Sequence, residues 1–199
     1  VFPHDLYFEC TEGQINTRLH TIFLKNIGNT SLHWQIEKGA EWIRTEPSEG
    51  TNTGEMQEIK ITVLPDRLAG GEYETSVKII SSSAINSPQE IPIRVHVFGI
   101  IRVPQQYQTI QGAINAAQNG DTVLVDDGVY RGEGNRNIHF DGKAITVKSK
   151  NGPGNCILDS EGSEEDPHRS FTLYDSRENH DTVIDGFTIR NGRVEDSNL

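Results

Sequence analysis

Two aspartates carry the densest chemistry that this sequence offers. Ile157-Leu158-Asp159-Ser160 and Val183-Ile184-Asp185-Gly186 are similar tracts, which predicts that Asp159 and Asp185 occupy equivalent places in successive turns of a repeat. Stacked in that way, the two carboxylates could share a calcium ion. Alone they make a poor site, because calcium takes about 6–8 oxygen ligands. The stronger reading of Asp-Ser and Asp-Gly is a carboxylate bonded to the amides of the turn that follows. Lys148 and Arg190 match in the same manner, in Ile145-Thr146-Val147-Lys148 and Phe187-Thr188-Ile189-Arg190. They point outward if Val147 and Ile189 point inward, and are candidates for carbohydrate contact. Trp42 is the third candidate contact for carbohydrate, as a ring on which a sugar could stack. Trp34 lies in a strictly alternating stretch and is expected in a core.

Other reactive residues fall into ordinary roles. His168 and His180 flank the stretch 171–174, and no third ligand is spaced to make them a metal pair. The run Glu161-Gly162-Ser163-Glu164-Glu165-Asp166 reads as a solvated loop. The sequence has no G-x-S-x-G elbow, no phosphate-cradling glycine loop and no Cys/His ligand pattern. No catalytic residue, resident metal or cofactor is therefore assigned within the chain; calcium at Asp159 and Asp185 is the weak exception.

The composition narrows the partners. In 199 residues, 29 Asp+Glu against 18 Lys+Arg give a formal net charge of −11, shared almost evenly between the halves. That acidity argues against nucleic acid and against an anionic membrane surface, and no apolar run approaches the ~20 residues of a membrane span. Cys10 and Cys156 are too few for a disulfide framework, and their apolar neighbours predict two buried free thiols. The chain opens on Val1 with no basic-plus-apolar leader, which reads as a processed chain or an excerpt.

The elements that position these residues differ between the halves. Over 1–99 the apolar residues alternate with period two: Leu32, Trp34, Ile36; Ile59, Ile61, Val63; Tyr73, Thr75, Val77, Ile79; Ile91, Ile93, Val95, Val97. Turn material separates the runs, including Pro47-Ser48-Glu49-Gly50 and Gly70-Gly71. About seven short strands result, with one turn of helix near Asp66–Ala69 and an edge or bulge at Pro92. Seven short strands in about 100 residues predict an immunoglobulin-like β-sandwich.

Phe23-Leu24-Lys25-Asn26-Ile27-Gly28-Asn29, Leu32-His33-Trp34, Trp42-Ile43, Pro47-Ser48-Glu49-Gly50, Gly71-Glu72-Tyr73 and Ile93-Arg94-Val95-His96-Val97 together resemble the BACON family over 15–98. These are immunoglobulin-like modules of bacterial surface and secreted carbohydrate-active proteins. The resemblance implies a spacer, with carbohydrate or mucin binding as the family's proposed activity.

Over 100–199 the texture changes near Phe98–Val103. Ile110, Ala113, Ile114 and Ala117 form one helical stripe, with Thr109 as N-cap and Asn119-Gly120 as stop. Short apolar triplets follow, separated by Gly, Asn and Asp, and recur at roughly 20–30 residues, the pattern of a parallel β-solenoid. Val103-Pro104-Gln105-Gln106-Tyr107-Gln108-Thr109-Ile110-Gln111-Gly112-Ala113-Ile114, Gly120-Asp121-Thr122-Val123-Leu124-Val125 and Ile184-Asp185-Gly186-Phe187-Thr188-Ile189-Arg190-Asn191-Gly192 resemble the opening of right-handed parallel β-helix proteins of the pectate lyase-like superfamily. That resemblance implies a helix capping the first coil and further coils after residue 199.

The expectation is mainly β: an immunoglobulin-like sandwich over 1–99, then the capping helix and first coils of a right-handed parallel β-helix over 100–199. Such a chain is a non-catalytic N-terminal segment of a secreted or cell-surface bacterial or archaeal protein, monomeric, spacing and presenting a surface to polysaccharide or another glycan. The alternative is the N-terminal part of a polysaccharide lyase or glycoside hydrolase whose active site lies mostly beyond residue 199.

Overall fold

The period-two alternation of the first half becomes eight strands in the computed structural model, which describes residues 1–14, 18–173 and 178–194. They are β1 (Leu6–Thr11), β2 (Arg18–Leu24), β3 (Leu32–Lys38), β4 (Ile43–Glu46), β5 (Glu49–Asn52), β6 (Gln57–Val63), β7 (Gly71–Ile80) and β8 (Gln89–Phe98). One sheet has the order β1-β8-β7-β3-β5 and the other β2-β6-β4. All neighbours are antiparallel except β1 and β8, which run parallel from Leu6↔Ile93 to Thr11↔Phe98. The buried faces meet in one core. Phe8, Trp34, Val77, Ile91, Ile93, Val95 and Val97 supply it from the first sheet, and Ile22, Ile43, Ile59, Ile61 and Val63 from the second. Two sheets packed face to face over one core make this half a β-sandwich of immunoglobulin-like kind.

Three local features explain its details. Pro92 pairs only with Ser76 of β7, because the ladder to β1 begins one residue later; it sits where β8 is locally an edge. The helical turn is a 3-10 turn at Pro65–Arg67, with Pro65 in its first position. The strand missing from the sequence reading is β5, on residues read as turn. Gly50 sits opposite Trp34 there, and a Cβ at Gly50 would lie 2.8 Å from Trp34 Cζ2, so the indole lies on bare backbone.

The chain divides into two compact units, Val1–Phe98 and Gly99–Leu199. The second contains β9 (Ile100–Val103), α1 (Ile110–Ala116), β10 (Thr122–Val125), β11 (Gly128–Tyr130), β12 (Thr146–Ser149), β13 (Cys156–Asp159), β14 (Val183–Asp185) and β15 (Thr188–Arg190). Every described strand pair in it is parallel: β14-β12-β10-β9 in one sheet and β11-β13-β15 in another. A third parallel bridge joins Ile138 to Phe171. The stretch read as 171–174 is described only to Leu173; Tyr174 lies outside the described residues.

Like side chains stand over like. Ile101, Val123, Val147 and Ile184 align in one ladder, and Tyr130, Leu158 and Ile189 in the other. The rings of Phe140, Phe171 and Phe187 follow one another at 6.1 and 6.2 Å. The register corrects the repeat read from sequence. β12 pairs with β14 and β13 with β15, so 145–148 and 187–190 belong to different sheets, as do 157–160 and 183–186. The likeness of those tracts is local and does not mark their place in the circuit, and Ile189, expected to point inward, is 53% exposed.

Helix α1 carries the expected stripe. Ile110, Ala113, Ile114 and Ala117 are buried, and Thr109 Oγ1 accepts the Gly112 N–H at 3.1 Å. The helix ends at Ala116, short of Asn119-Gly120. Its termini are tied to later segments. Asn135 Oδ1 accepts the Ile110 N–H at 3.0 Å, and Lys143 Nζ donates to the carbonyls of Ile114 and Asn115, both at 2.8 Å. A cation on the last carbonyls of a helix stabilises it through both hydrogen bonding and the helix dipole.

Candidate functional site

The candidate residues fall into separate places. Trp42 precedes β4, half-buried against the sandwich core, with its ring 6.1 Å from that of Tyr73 in an edge contact. Tyr73 is fixed in turn by a hydrogen bond from its hydroxyl to the Ala69 carbonyl at 3.0 Å. The indole is held, and part of its surface remains open.

Lys148 lies on the exposed side of β12, between Leu124 of β10 and Asp185 of β14 in register. Both Lys148 and Asp185 point to solvent, as the alternation requires once Val147 and Ile184 face inward. Asp185 is therefore a cross-strand neighbour of Lys148 and not of Asp159.

Asp159 meets Arg190 instead. Its carboxylate is 5% exposed and accepts hydrogen bonds from Arg190 Nε at 3.1 Å and Asn191 Nδ2 at 2.8 Å, and it forms ion pairs with Arg190 Nη2 at 3.0 Å and Arg131 Nε at 3.1 Å. The backbone N–H of Glu161 adds a longer bond at 3.3 Å, the turn contact expected for an Asp-Ser sequence. The bond from Asn191 is the largest cause that holds the Asp159 pKa below its ordinary value; burial opposes it, and the Glu161 amide and Arg190 reinforce it. Arg131, at the step after Tyr130, and Arg190 stand on either side of Asp159, one strand away each. The two carboxylates of the proposed calcium pair thus sit in different sheets, and one is filled by guanidinium and amide donors. Among the described residues, no three His, Cys, Asp or Glu side chains converge as metal ligands.

Sequence reasoning overlooked Arg131 and Asn191. The signal was present in Val129-Tyr130-Arg131, Ile157-Leu158-Asp159 and Thr188-Ile189-Arg190, which align once the sheets are assigned. Around this clasp other pairs also join successive segments: Arg136 Nη1 to Glu161 Oε2 at 3.6 Å and Arg193 Nη2 to Glu164 Oε1 at 2.8 Å. His168 bonds Asp166 at 3.0 Å and Asn137 at 2.9 Å.

A further feature lies at one end of the sandwich. The pairs Leu24↔Gln57, Leu32↔Asn52 and Gln35↔Ile80 bring the connections 25–31, 53–56 and 81–88 to the same end. Between the first and the last is a cleft of about 550 Å3, with Leu24, Leu32, Trp34 and Ile79 in its lining and Ile27 and Ile85 at its rim.

Residues 5–97 match a family described as "Viral BACON domain". No curated protein matches the chain. Among solved structures, the chain is similar to the ASH/PapD-like domain 7 of human CEP192, at 18% identity and a TM-score of 0.39, over 48% of this chain and 82% of that one. It is similar to the chaperone–tip adhesion subunit complex CsuC-CsuE of Acinetobacter baumannii pili, at 18% identity and a TM-score of 0.40, over 50% of this chain and 51% of that one. A third likeness is the Bacteroides ovatus GH5 xyloglucanase in complex with a XXXG heptasaccharide, at 16% identity and a TM-score of 0.35. It covers 73% of this chain, which spans 35% of that enzyme's.

Proposed function

We propose that this chain is a non-catalytic presenting segment of a secreted or cell-surface protein: a BACON-type module, serving as spacer and carbohydrate contact, followed by the capped first coils of a right-handed parallel β-helix. The observation that carries the first part is the family match over 5–97 together with the immunoglobulin-like sandwich. The all-parallel ladders with like-on-like stacking, and the helix that packs against β9 and β10, support the second. Trp42 and the outward Lys148 are the contacts proposed for a glycan. Arg190 contributes less than the sequence implies, since two of its nitrogens are engaged by Asp159. No helix among the described residues is long and apolar enough to cross a membrane.

The test is an array of plant, microbial and mucin glycans probed with the whole chain, beside a lyase assay that follows unsaturated ends on uronic-acid polymers with and without calcium. The reading expects glycan binding that weakens about tenfold in Trp42→Ala, consistent with loss of one stacked ring, and no unsaturated product. Binding absent from the array, or unchanged in both Trp42→Ala and Lys148→Ala, overturns the carbohydrate contact. Product formation overturns the non-catalytic assignment.

A further inference from the structure

Asparagine braces this fold at several points. Asn52 is fully buried: its Oδ1 accepts the backbone N–H groups of Asn26 at 2.9 Å and Gly54 at 3.1 Å, and its Nδ2 donates to the Glu55 carbonyl at 2.9 Å. The residue after it is Thr53, whose branched side chain crowds its own nitrogen. Three other asparagines, all in the second unit, are followed by glycine: Asn119-Gly120, Asn151-Gly152 and Asn191-Gly192. Without a Cβ, a glycine nitrogen can approach the amide carbon of the preceding side chain closely enough to attack it.

The fold treats the three pairs differently. The Gly120 N–H donates to the Ala144 carbonyl at 2.7 Å, and the Gly152 N–H to Ser149 Oγ at 3.0 Å. An N–H held by an acceptor is hindered from losing its proton and from turning toward the side chain. The Gly192 N–H has no acceptor among the described residues, and both Asn191 and Gly192 are exposed. Each asparagine side chain is itself held: Asn119 Oδ1 by the Ala144 N–H at 3.0 Å, Asn151 Nδ2 by Asp127 at 3.0 and 3.1 Å, and Asn191 Nδ2 by Asp159 at 2.8 Å. At 119 and 151 both the side chain and the glycine amide must be released before attack. At 191 only the side chain must be. Asn191 also stands at φ +54°, a left-handed backbone that costs a residue with a Cβ and so favours opening.

We propose that Asn191 is a site of spontaneous modification, deamidated by attack of the Gly192 nitrogen on its Cγ. The N–Cγ bond forms, the Cγ–Nδ2 bond breaks, and the Gly192 proton leaves with ammonia. Water then opens the cyclic imide at one carbonyl to give aspartate, or at the other to give isoaspartate. Either product puts a carboxylate where a donor faced Asp159 Oδ1, so two anions meet and the clasp with Arg190 and Arg131 loosens. The second unit thus carries a slow chemical clock, which goes beyond the presenting role and does not depend on it.

The experiment holds the whole chain in mildly alkaline buffer, native and denatured, and maps the conversion of each asparagine by peptide mass spectrometry. In the native chain Asn191 is expected to convert about fivefold or more faster than Asn119 and Asn151, the factor for one amide hydrogen bond. In denaturant the three converge. Gly192→Ala loses the lead of 191, and its Cβ would meet nothing nearer than Ser160 Oγ at 4.0 Å, so the fold is kept. Asn191→Asp, one of the two products, lowers the thermal midpoint of the second unit by about 4 °C. Conversion led by Asn119 or Asn151, equal native rates, no conversion at 191, or a lead that survives denaturation overturns the proposal. An unchanged midpoint in Asn191→Asp overturns the loosening of the clasp.

Discussion

Asp159 and Arg190 face each other across β13 and β15, with two guanidinium nitrogens on one carboxylate oxygen at 3.0 and 3.1 Å. Arg131 approaches the same oxygen from the strand on the other side. One buried carboxylate therefore joins three successive segments of the second unit, and its removal leaves two guanidiniums and the Asn191 amide without their acceptor. Asp159→Ala is expected to lower the thermal midpoint of that unit by about 4–8 °C, with Asp159→Asn intermediate, read by calorimetry.

The pH dependence of that clasp has a definite sign. The folded-state pKa of Asp159 lies below its ordinary carboxylate value. Its contribution is therefore complete above the unfolded value of about 3.9, and is lost as pH falls through the folded one. The midpoint gap between wild type and Asp159→Asn should be constant from pH 8 to pH 5 and close at more acidic pH. A gap that persists unchanged through the acid range contradicts this account.

Gly50→Ala tests the origin of β5. The new Cβ would stand 2.8 Å from Trp34 Cζ2 and 3.1 Å from Cε2. Trp34 cannot swing away freely, since its Nε1 donates to Gln57 Oε1 at 3.1 Å. The variant is expected to destabilise the sandwich by about 1–3 kcal/mol, measured by denaturant titration. Tryptophan emission should shift already in the folded state. An unshifted spectrum and an unchanged midpoint would show that the sheet absorbs the methyl without cost.

The two thiols should be inert in the folded chain. Burial raises the pKa of Cys10, and burial with the nearby Asp127 and Asp126 raises that of Cys156 to about 11. Both side chains are closed to solvent. A chromogenic disulfide at pH 8 should label neither within the folded state and both after denaturation. Rapid labelling of either one in native buffer would contradict the burial described for it.

The sandwich was legible where one rule governs. Ile91, Ile93, Val95 and Val97 alternate without interruption and are all buried on one face of β8. The stripe of α1 was legible for the same reason, as a single period carried by four residues. β5 was not, because what makes Glu49–Asn52 a strand is the indole of Trp34 opposite Gly50, a contact between segments that no local pattern encodes. The clasp at Asp159 was half-legible. The residue was singled out, but its partner was misassigned because strands of two different sheets carry similar short sequences. The cleft near Ile27 and Ile85 was invisible for a third reason: its walls are connections whose meeting depends on the register of three separate strand pairs.

Asn52 has a consequence beyond bracing. Its short bonds run to main-chain groups, the amides of Asn26 and Gly54 and the carbonyl of Glu55, so it holds the path of two connections while leaving their outward side chains unspecified. Ile27 and Met56 can be exchanged for other residues with the supporting backbone intact. The tips can thus vary in sequence around one unchanging hub, which separates the residues this end exposes from those that hold it together.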